Sequence, residues 1–314
     1  MVNNKKSKVS EMKFDVAIPT YKRRKVLEEC LNSIYKQDLS PERIFIVDDG
    51  DLPEDFISKH KKKAENEGIN LIHYKKNHPE EPRGSNESKN KAFELAKEKI
   101  AFLFDDDVVL RENFFEEIRN LWEENKEDDS LIGVSGIAEN YRKKRRLEKA
   151  YNRIFGLTSN YDWDVNDAAF QVWDTGIEEV KKGYYMSGFC CSFRVEKARE
   201  IKFTVFKGGR AGGADPDFAL KAKKEGYHFL INPKAKVIHN QTELSREKAF
   251  RTGFKESSNR KITFKNNCEK TLKNRLWFIW ANIGWILRQF LTGNFRKGLG
   301  MIYGLFHKDN KNKK

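Results

Sequence analysis

Nothing in this 314-residue chain is apolar for long enough to cross a membrane outright. The most apolar stretch, Leu276 to Leu287, covers 12 residues and contains Asn282. A spanning helix needs about 20 mostly apolar residues. Cysteine is scarce, with four in all and no C-x-x-C or other zinc spacing. That argues against a zinc module and fits a reducing compartment. Cys190 and Cys191 are adjacent and would point to opposite faces of a strand, as small core residues rather than a redox pair. No GxGxxG follows the first predicted strand, which disfavours a dinucleotide fold. No GxxxxGK[ST] occurs, so the chain has no P-loop. The opening MVNNKKSKVSEMK lacks the apolar core of a signal peptide and reads as a short disordered lead over residues 1–12. No internal repeat is evident.

What is present is charge, and its placement matters more than its size. The net charge is +14. Leu244 to Lys314 hold 17 Lys and Arg against 4 Asp and Glu, a balance of +13, so residues 1–243 are close to neutral. A nucleic-acid enzyme carries its basic groups around the active cleft. Here they lie in a separable tail, and no nucleic-acid partner is expected. The tail reads either as a solubilising segment or as one drawn to anionic lipid.

Apolar periodicity predicts strands over residues 14–19, 43–47, 70–74 and 100–104. Helices are predicted between them over 24–36, 54–66 and 87–99. Such alternation argues for a mostly parallel sheet with helices on both faces. Beyond it the pattern predicts a helix over 112–125, strands over 131–138 and 184–193, a helix over 215–225, and short strands over 227–231 and 236–239. Residues 139–180 read as a long, partly mobile excursion.

Ligands bind beyond the carboxyl ends of strands in such sheets. Asp48-Asp49 and Asp105-Asp106-Asp107 both fall there. Crowded aspartates repel unless a cation neutralises them, and Mg²⁺ or Mn²⁺ favours such oxygen ligands. Turn or helix capping is the plainer reading of the same residues. Asp48 or Asp49 has the chemistry to accept hydrogen bonds from a base or ribose. Asp215 and Asp217 follow a glycine-rich loop at a predicted helix start, where a cap and a general base are both open. His239 ends the strand KAKVIH, as metal ligand or as satisfied structure.

Taken in order, these segments resemble the family 2 glycosyltransferases of GT-A fold. DVAIPTYKRRKVLEECLNSIYKQ is similar to their opening strand and helix, and IFIVDDG to their nucleotide-contacting strand end. NESKNKAFELA resembles the helix that approaches the diphosphate, and FLFDDDV the DxD region. GADPDFALKAKKEGYHFLINPKAKVIH resembles the catalytic-base segment with its late histidine. The resemblance covers about residues 13–242 and implies a metal-dependent inverting transfer from a nucleoside-diphosphate sugar. It implies that Asp48 or Asp49 contacts the base and Asp105 the ribose, and that Lys89 meets phosphate. Pro19, Tyr21 and Asp106 join the nucleotide-sugar site. Asp107 and His239 would hold Mn²⁺ or Mg²⁺, and Asp215 would be the general base. Asp217 and Gly188 would lie on the acceptor side. Some positions depart from the family pattern. GED is Gly213-Ala214-Asp215 here, a later arginine is Lys221, and the serine after DDG is Asp51. Lys89 stands where arginine is frequent. The loss of a carboxylate at Ala214 bears on the acceptor more than on the reaction.

The chain divides on this reading into a catalytic domain over 13–243 and a basic amphipathic helical tail over 244–314. The domain has a nucleotide-binding half, 13–107, and an acceptor half, 108–243. Trp277, Trp280 and Trp285 suit the headgroup boundary, so the tail is expected to associate with an anionic membrane as an interfacial helix or pair. KNRLWF resembles tails of family members that use lipid-linked acceptors. The expected acceptor is therefore a glycan or polyprenyl-linked glycan, at the cytoplasmic face of the cell membrane. Two other functions compete: a nucleotidyltransferase with an acidic metal site, and an inactive GT-A-like membrane scaffold. The first would need a basic glycine-rich loop after the first strand, and PTYKRRK lacks the glycine.

Overall fold

The structure, a computed structural model, describes residues 12–206, 212–240 and 248–307. Strands β1 (Phe14–Thr20), β2 (Arg43–Asp48), β3 (Asn70–Lys75) and β4 (Ile100–Phe104) alternate with helices α1 (Arg24–Ile34), α2 (Glu54–Asn66) and α3 (Ser85–Leu95). They form a parallel run in the order β3-β2-β1-β4. The period of two in a strand sends alternate side chains to opposite faces. Phe14, Val16, Ile18, Ile44, Ile46, Phe102 and Phe104 enter one buried cluster, with Leu27 and Leu31 of α1 and Phe56 of α2. Ala17, Phe45, Val47 and Leu103 enter the other, with Ala92 and Phe93 of α3. Both faces of β2 and β4 are covered, which is why IFIV and IAFLF read as apolar runs. Cys190 and Cys191 also divide between the two clusters, and both are free thiols.

The second half adds β5 (Val108–Leu110), α4 (Phe114–Glu124), β6 (Leu131–Ala138), α5 (Arg146–Ile154) and the two-residue strands β7 (Asp164–Val165) and β8 (Gln171–Val172). It continues through β9 (Lys181–Gly183), β10 (Cys190–Arg194), α6 (Val195–Ile201), α7 (Ala214–Lys224) and β11 (His228–His239). β10 lies antiparallel between β4 and β6, while β11 runs parallel to β6 and antiparallel to β5 and β9. The sheet is thus mixed, with its parallel run at one side. Residues 139–180 contain α5 and the β7–β8 ribbon rather than only loop. The strand expected over 184–193 is confined to its end, because the Ser187 carbonyl accepts from the Cys190 amide at 3.1 Å and turns the chain.

The carboxyl-terminal helices correct the expectation of a membrane-associating tail. α8 (Ala249–Asn267), α9 (Leu272–Leu291) and α10 (Phe295–Phe306) dock on the rest of the protein. Among the described residues no helix is long and apolar enough to cross a membrane. The tryptophans that suited a headgroup boundary find protein partners, although Trp280 stays 46% exposed. Trp277 Nε1 donates to the Gly156 carbonyl at 2.7 Å, and Trp280 Nε1 to the Ile154 carbonyl at 2.8 Å. Trp285 packs with Phe170, Leu157 and Ala281. An indole needs one apolar surface and one acceptor, and a seam between helices supplies both as well as a lipid boundary does. Some of the basic excess is also used internally. Lys297 pairs with Glu256 at 2.9 Å and Arg288 with Glu148 at 3.5 Å. α8 and α10 meet closely enough that a Cβ on Gly300 would lie 2.0 Å from the Phe250 carbonyl oxygen. The outer side of α9 leaves Leu272, Leu276, Ile279, Ile283 and Leu291 exposed.

Candidate active site

β4 ends at Phe104, and the chain turns through Asp105, Asp106 and Asp107 into β5. β5 pairs with the end of β11 in a register that sets His239 opposite Val108. The His239 ring is thereby brought to the aspartates, with Nε2 3.1 Å from Asp107 Oδ1. Asp105, Asp107 and His239 offer ligand atoms that all lie within 4.8 Å of one another. His239 Nδ1 meets the Tyr141 hydroxyl at 2.7 Å, and Phe189 packs on the ring. A second partner of this kind fixes the orientation of a ligating imidazole. Two carboxylates and one imidazole suit a hard divalent cation of the Mn²⁺ or Mg²⁺ kind, so the residues present fit such an ion.

Asp106 turns inward. Its carboxylate accepts from Thr20 Oγ1 at 2.7 Å and from Arg23 Nε at 3.2 Å. The same guanidinium donates to Asp107 Oδ2 at 2.6 Å. Burial pushes the Asp106 carboxyl up to about 6, against the pull of Arg23 and Thr20. Burial also opposes ionisation of Asp107, but the His239 hydrogen bond and the Arg23 charge outweigh it and hold that carboxyl below its ordinary range.

At the end of β2, Asp48 is fully buried and accepts from the Gly50 and Leu52 amides at 2.8 and 3.0 Å. His73 Nε2 lies 3.2 Å from it. Asp49 accepts from the Gly84 amide at 2.8 Å and faces the Lys76 ammonium at 2.9 Å. It thus ties the β2 turn to the start of α3. Pro19 is paired with Val47 near the end of β1. Tyr21, just beyond, is exposed beneath the Arg83 guanidinium, 5.9 Å from its ring centre.

Lys89 of α3 links the two acidic regions. Its ammonium lies 3.8 Å from Asp105 and 3.4 Å from Asp215, and donates to the Gly188 carbonyl at 3.2 Å. Gly188 leaves room for the base candidate, since a Cβ there would lie 2.3 Å from Asp215 Oδ1. Asp105, Lys89 and Asp215 line one cavity of about 240 Å³ with Ser85, Asn86 and Gly213. A larger depression of about 1420 Å³ runs past Gln37, Arg111 and Glu139, but no member of the aspartate clusters lines it. The smaller cleft brings Asp105, Lys89 and Asp215 together, while Asp107 and His239 lie outside its lining. Asp217 faces elsewhere. It is buried against α8, accepting from Asn267 Nδ2 at 2.7 Å and Thr204 Oγ1 at 2.5 Å, with Lys221 at 2.8 Å.

Sequence reasoning did not single out Arg23, Thr20, Lys76 or Tyr141. Arg23 stood in plain view in PTYKRRK, directly after a strand end, where a lone basic group among like neighbours carries no mark. Tyr141 lies 98 residues from His239 in sequence, and only the β6–β11 pairing brings them together.

A mixed sheet with an aspartate turn, a histidine on the neighbouring strand end and a base candidate across the cleft defines a GT-A glycosyltransferase. The chain belongs to Glycosyl transferase family 2, whose profile matches residues 15–197. It is 28% identical over 231 residues to the poly(ribitol-phosphate) beta-glucosyltransferase of Bacillus spizizenii, covering 70% of this chain and 34% of that protein. The chain therefore spans about a third of that relative's length. Among solved structures it is similar to the mannosyltransferase PcManGT of Pyrobaculum calidifontis, in complex with GDP-Man and Mn²⁺. That likeness has a TM-score of 0.61 at 13% identity and covers 96% of this chain and 89% of the other. Residues 1–349 of S. aureus TarS in complex with UDP-GlcNAc give 0.52 at 15% identity, over 93% and 91% of the two chains. At such identities the structural likeness shows the fold alone.

Proposed function

We propose that the protein transfers a sugar from a nucleoside-diphosphate sugar to an acceptor hydroxyl in one inverting displacement, with Asp215 as general base. The observation that carries this reading is the span of Lys89, whose ammonium lies 3.8 Å from Asp105 and 3.4 Å from Asp215. Donor-side and acceptor-side carboxylates thus share one small cleft. Asp107 and His239, with Asp105 beside them, hold Mn²⁺ or Mg²⁺. A cation there supplies positive charge to the departing diphosphate. Asp48, Asp49, Pro19 and Tyr21 border the nucleoside, with Asp105 at the ribose. Asp106 holds Arg23 in place, and Lys89 faces phosphate. Asp215 takes the proton of the acceptor hydroxyl as that oxygen attacks the anomeric carbon. The bond from that carbon to the diphosphate oxygen breaks, and the diphosphate leaves with its electron pair. Gly188 borders the acceptor side, and Asp217 supports it by fixing α7 on α8. Residues 13–107 form the nucleotide half and 108–243 the acceptor half.

The Bacillus relative acts on poly(ribitol phosphate) by its name. With it as guide, the acceptor is a polyol-phosphate or related glycan, free or carried on a polyprenyl lipid. Asp215→Asn tests the core of the reading. Single-turnover transfer across a panel of nucleotide sugars should fall about 10²-fold or more, while calorimetry finds donor binding retained. Near-normal turnover in the variant would move the base elsewhere. No turnover by the wild type with any donor would favour an inactive scaffold.

A further inference from the structure

The seam between α7, α8 and α9 holds a second cavity of about 100 Å³. Arg260 and Thr263 of α8, Trp285 of α9, Gln171 of β8, and Gly212 and Gly213 help to line it. Arg260 is buried, with 9% of its surface exposed. Its guanidinium lies 4.0 Å from the Phe170 ring centre and 5.7 Å from that of Trp285. Arg260 Nη1 has no hydrogen-bond partner, and neither does the buried Trp285 Nε1. Glu256, the carboxylate in this wall, is instead paired with Lys297 at 2.9 Å. Burial lowers the Arg260 pKa to about 10, with the Glu256 charge only partly opposing it.

Guanidinium and indole N–H groups donate and cannot accept. The group missing from this cavity is therefore an acceptor, and the buried positive charge calls for an anion. A water occupies about 30 Å³ of liquid, so the space matches a group of a few heavy atoms, such as a phosphate. The cavity also adjoins the cleft of the proposed reaction. Gly212 and Gly213 line both spaces, and the consecutive residues Asp215 and Pro216 face one each.

We propose that Arg260 and Trp285 form an acceptor subsite that binds a phosphate mono- or diester, presenting a hydroxyl of the same acceptor to Asp215. This rests on the glycosyltransferase reading above and gives it a substrate determinant in the carboxyl-terminal helices. Arg260 is a specificity residue here, since it touches the acceptor away from the reacting atoms.

Calorimetry on the full chain tests it with ribitol 5-phosphate, ribitol and inorganic phosphate as probes, in the absence of donor. The wild type should bind ribitol 5-phosphate and not ribitol. Arg260→Met should weaken ribitol 5-phosphate binding at least tenfold, with Arg260→Lys in between. If the Met variant fails to fold, the wild-type Trp285 indole N–H signal in NMR still decides, because a bound ester must shift it on titration. Unchanged affinity in Arg260→Met, or an unmoved Trp285 signal, overturns the subsite. Binding of inorganic phosphate without ribitol 5-phosphate overturns its assignment to the acceptor. Donor hydrolysis by the wild type is measured separately. Its absence would count against the transferase reading while leaving the phosphate site standing.

Discussion

At Asp107 one carboxylate is held from two sides, by His239 Nε2 at 3.1 Å and by Arg23 Nη1 at 2.6 Å. Both partners favour its charged form, which is the form that binds a cation. Asp107→Ala should therefore greatly weaken Mn²⁺-assisted binding of the matched nucleoside diphosphate, as read by calorimetry with and without the metal. Equal affinities in wild type and variant would remove Asp107 from the metal site. Gly188 offers a test on the other side of the cleft. A methyl group there would lie 2.3 Å from Asp215 Oδ1, so Gly188→Ala must push the base candidate aside. Because a misplacement of about 1 Å costs on the order of 10² in rate, transfer should drop that far while metal-assisted nucleotide affinity holds. Undiminished transfer by Gly188→Ala would argue that Asp215 is free to move, or is not the base. The carboxylates could be singled out in the sequence because charges at strand ends stand out against apolar runs. Arg23 did not stand out, since nothing local separates it from Lys22 and Arg24.

Among the elements, the decisive joint is β5 against β11. Three residues of β5 and the register of His239 on Val108 bring together the candidate metal ligands Asp105, Asp107 and His239. That pairing is long-range, and no periodicity in the chain announces it. The parallel β-α run was legible because β1, β2 and β4 are buried on both faces and each helix on one, so the two periods differ. The segment from 139 to 180 was not, because α5 rests on α9, a partner more than 100 residues away in sequence. Tyr151 donates to the Gly284 carbonyl at 2.6 Å, and Phe155 stacks on Trp280. Glu148 joins the same contact, bonded to Arg142 at 2.6 Å and 3.5 Å from Arg288. The Arg142 hydrogen bond, helped by the Arg145 amide, lowers the Glu148 carboxyl from 4.5 to about 2. A depressed carboxyl stabilises the fold above its unfolded value and loses that contribution as pH falls through the folded one. Glu148→Gln should therefore melt below the wild type at pH 7. The gap should begin to close below about 4.5 and be nearly gone near 2. A gap that is constant across this range would mean that the ion pairs contribute nothing measurable.

For the whole molecule, the carboxyl-terminal helices are where the sequence misled most. A balance of +13 and three tryptophans in one helix have the composition of a membrane-surface segment. Composition cannot tell a lipid boundary from a seam in protein, because an indole is satisfied by either. The structure resolves the choice through contacts distant in sequence. Asn267 and Thr263 of α8 bond the buried Asp217 carboxylate of α7 at 2.7 and 3.4 Å. Phe264 stacks on Phe278 of α9 with ring centres 4.4 Å apart. Phe264 also belongs to the same buried cluster as Phe193 and Phe229 of the sheet and Phe218 of α7. Removing α8 to α10 takes Asn267 and Thr263 from Asp217, which keeps Thr204 and Lys221, and exposes this cluster. Apolar surface returned to water costs about 25 cal/mol per Å², so a few uncovered side chains are a large share of the roughly 5–15 kcal/mol that holds an ordinary domain together. Truncation after residue 247 should therefore yield a chain that aggregates, or melts far below the full-length protein with a broadened transition. Circular dichroism melting and size-exclusion chromatography of the two chains measure this directly. A monomeric truncated chain that melts within a few degrees of the full-length protein and binds nucleoside diphosphate equally well would make the helices an appendage. The full-length chain should in turn unfold in one transition, since α8 joins the two layers that a separable tail would leave apart.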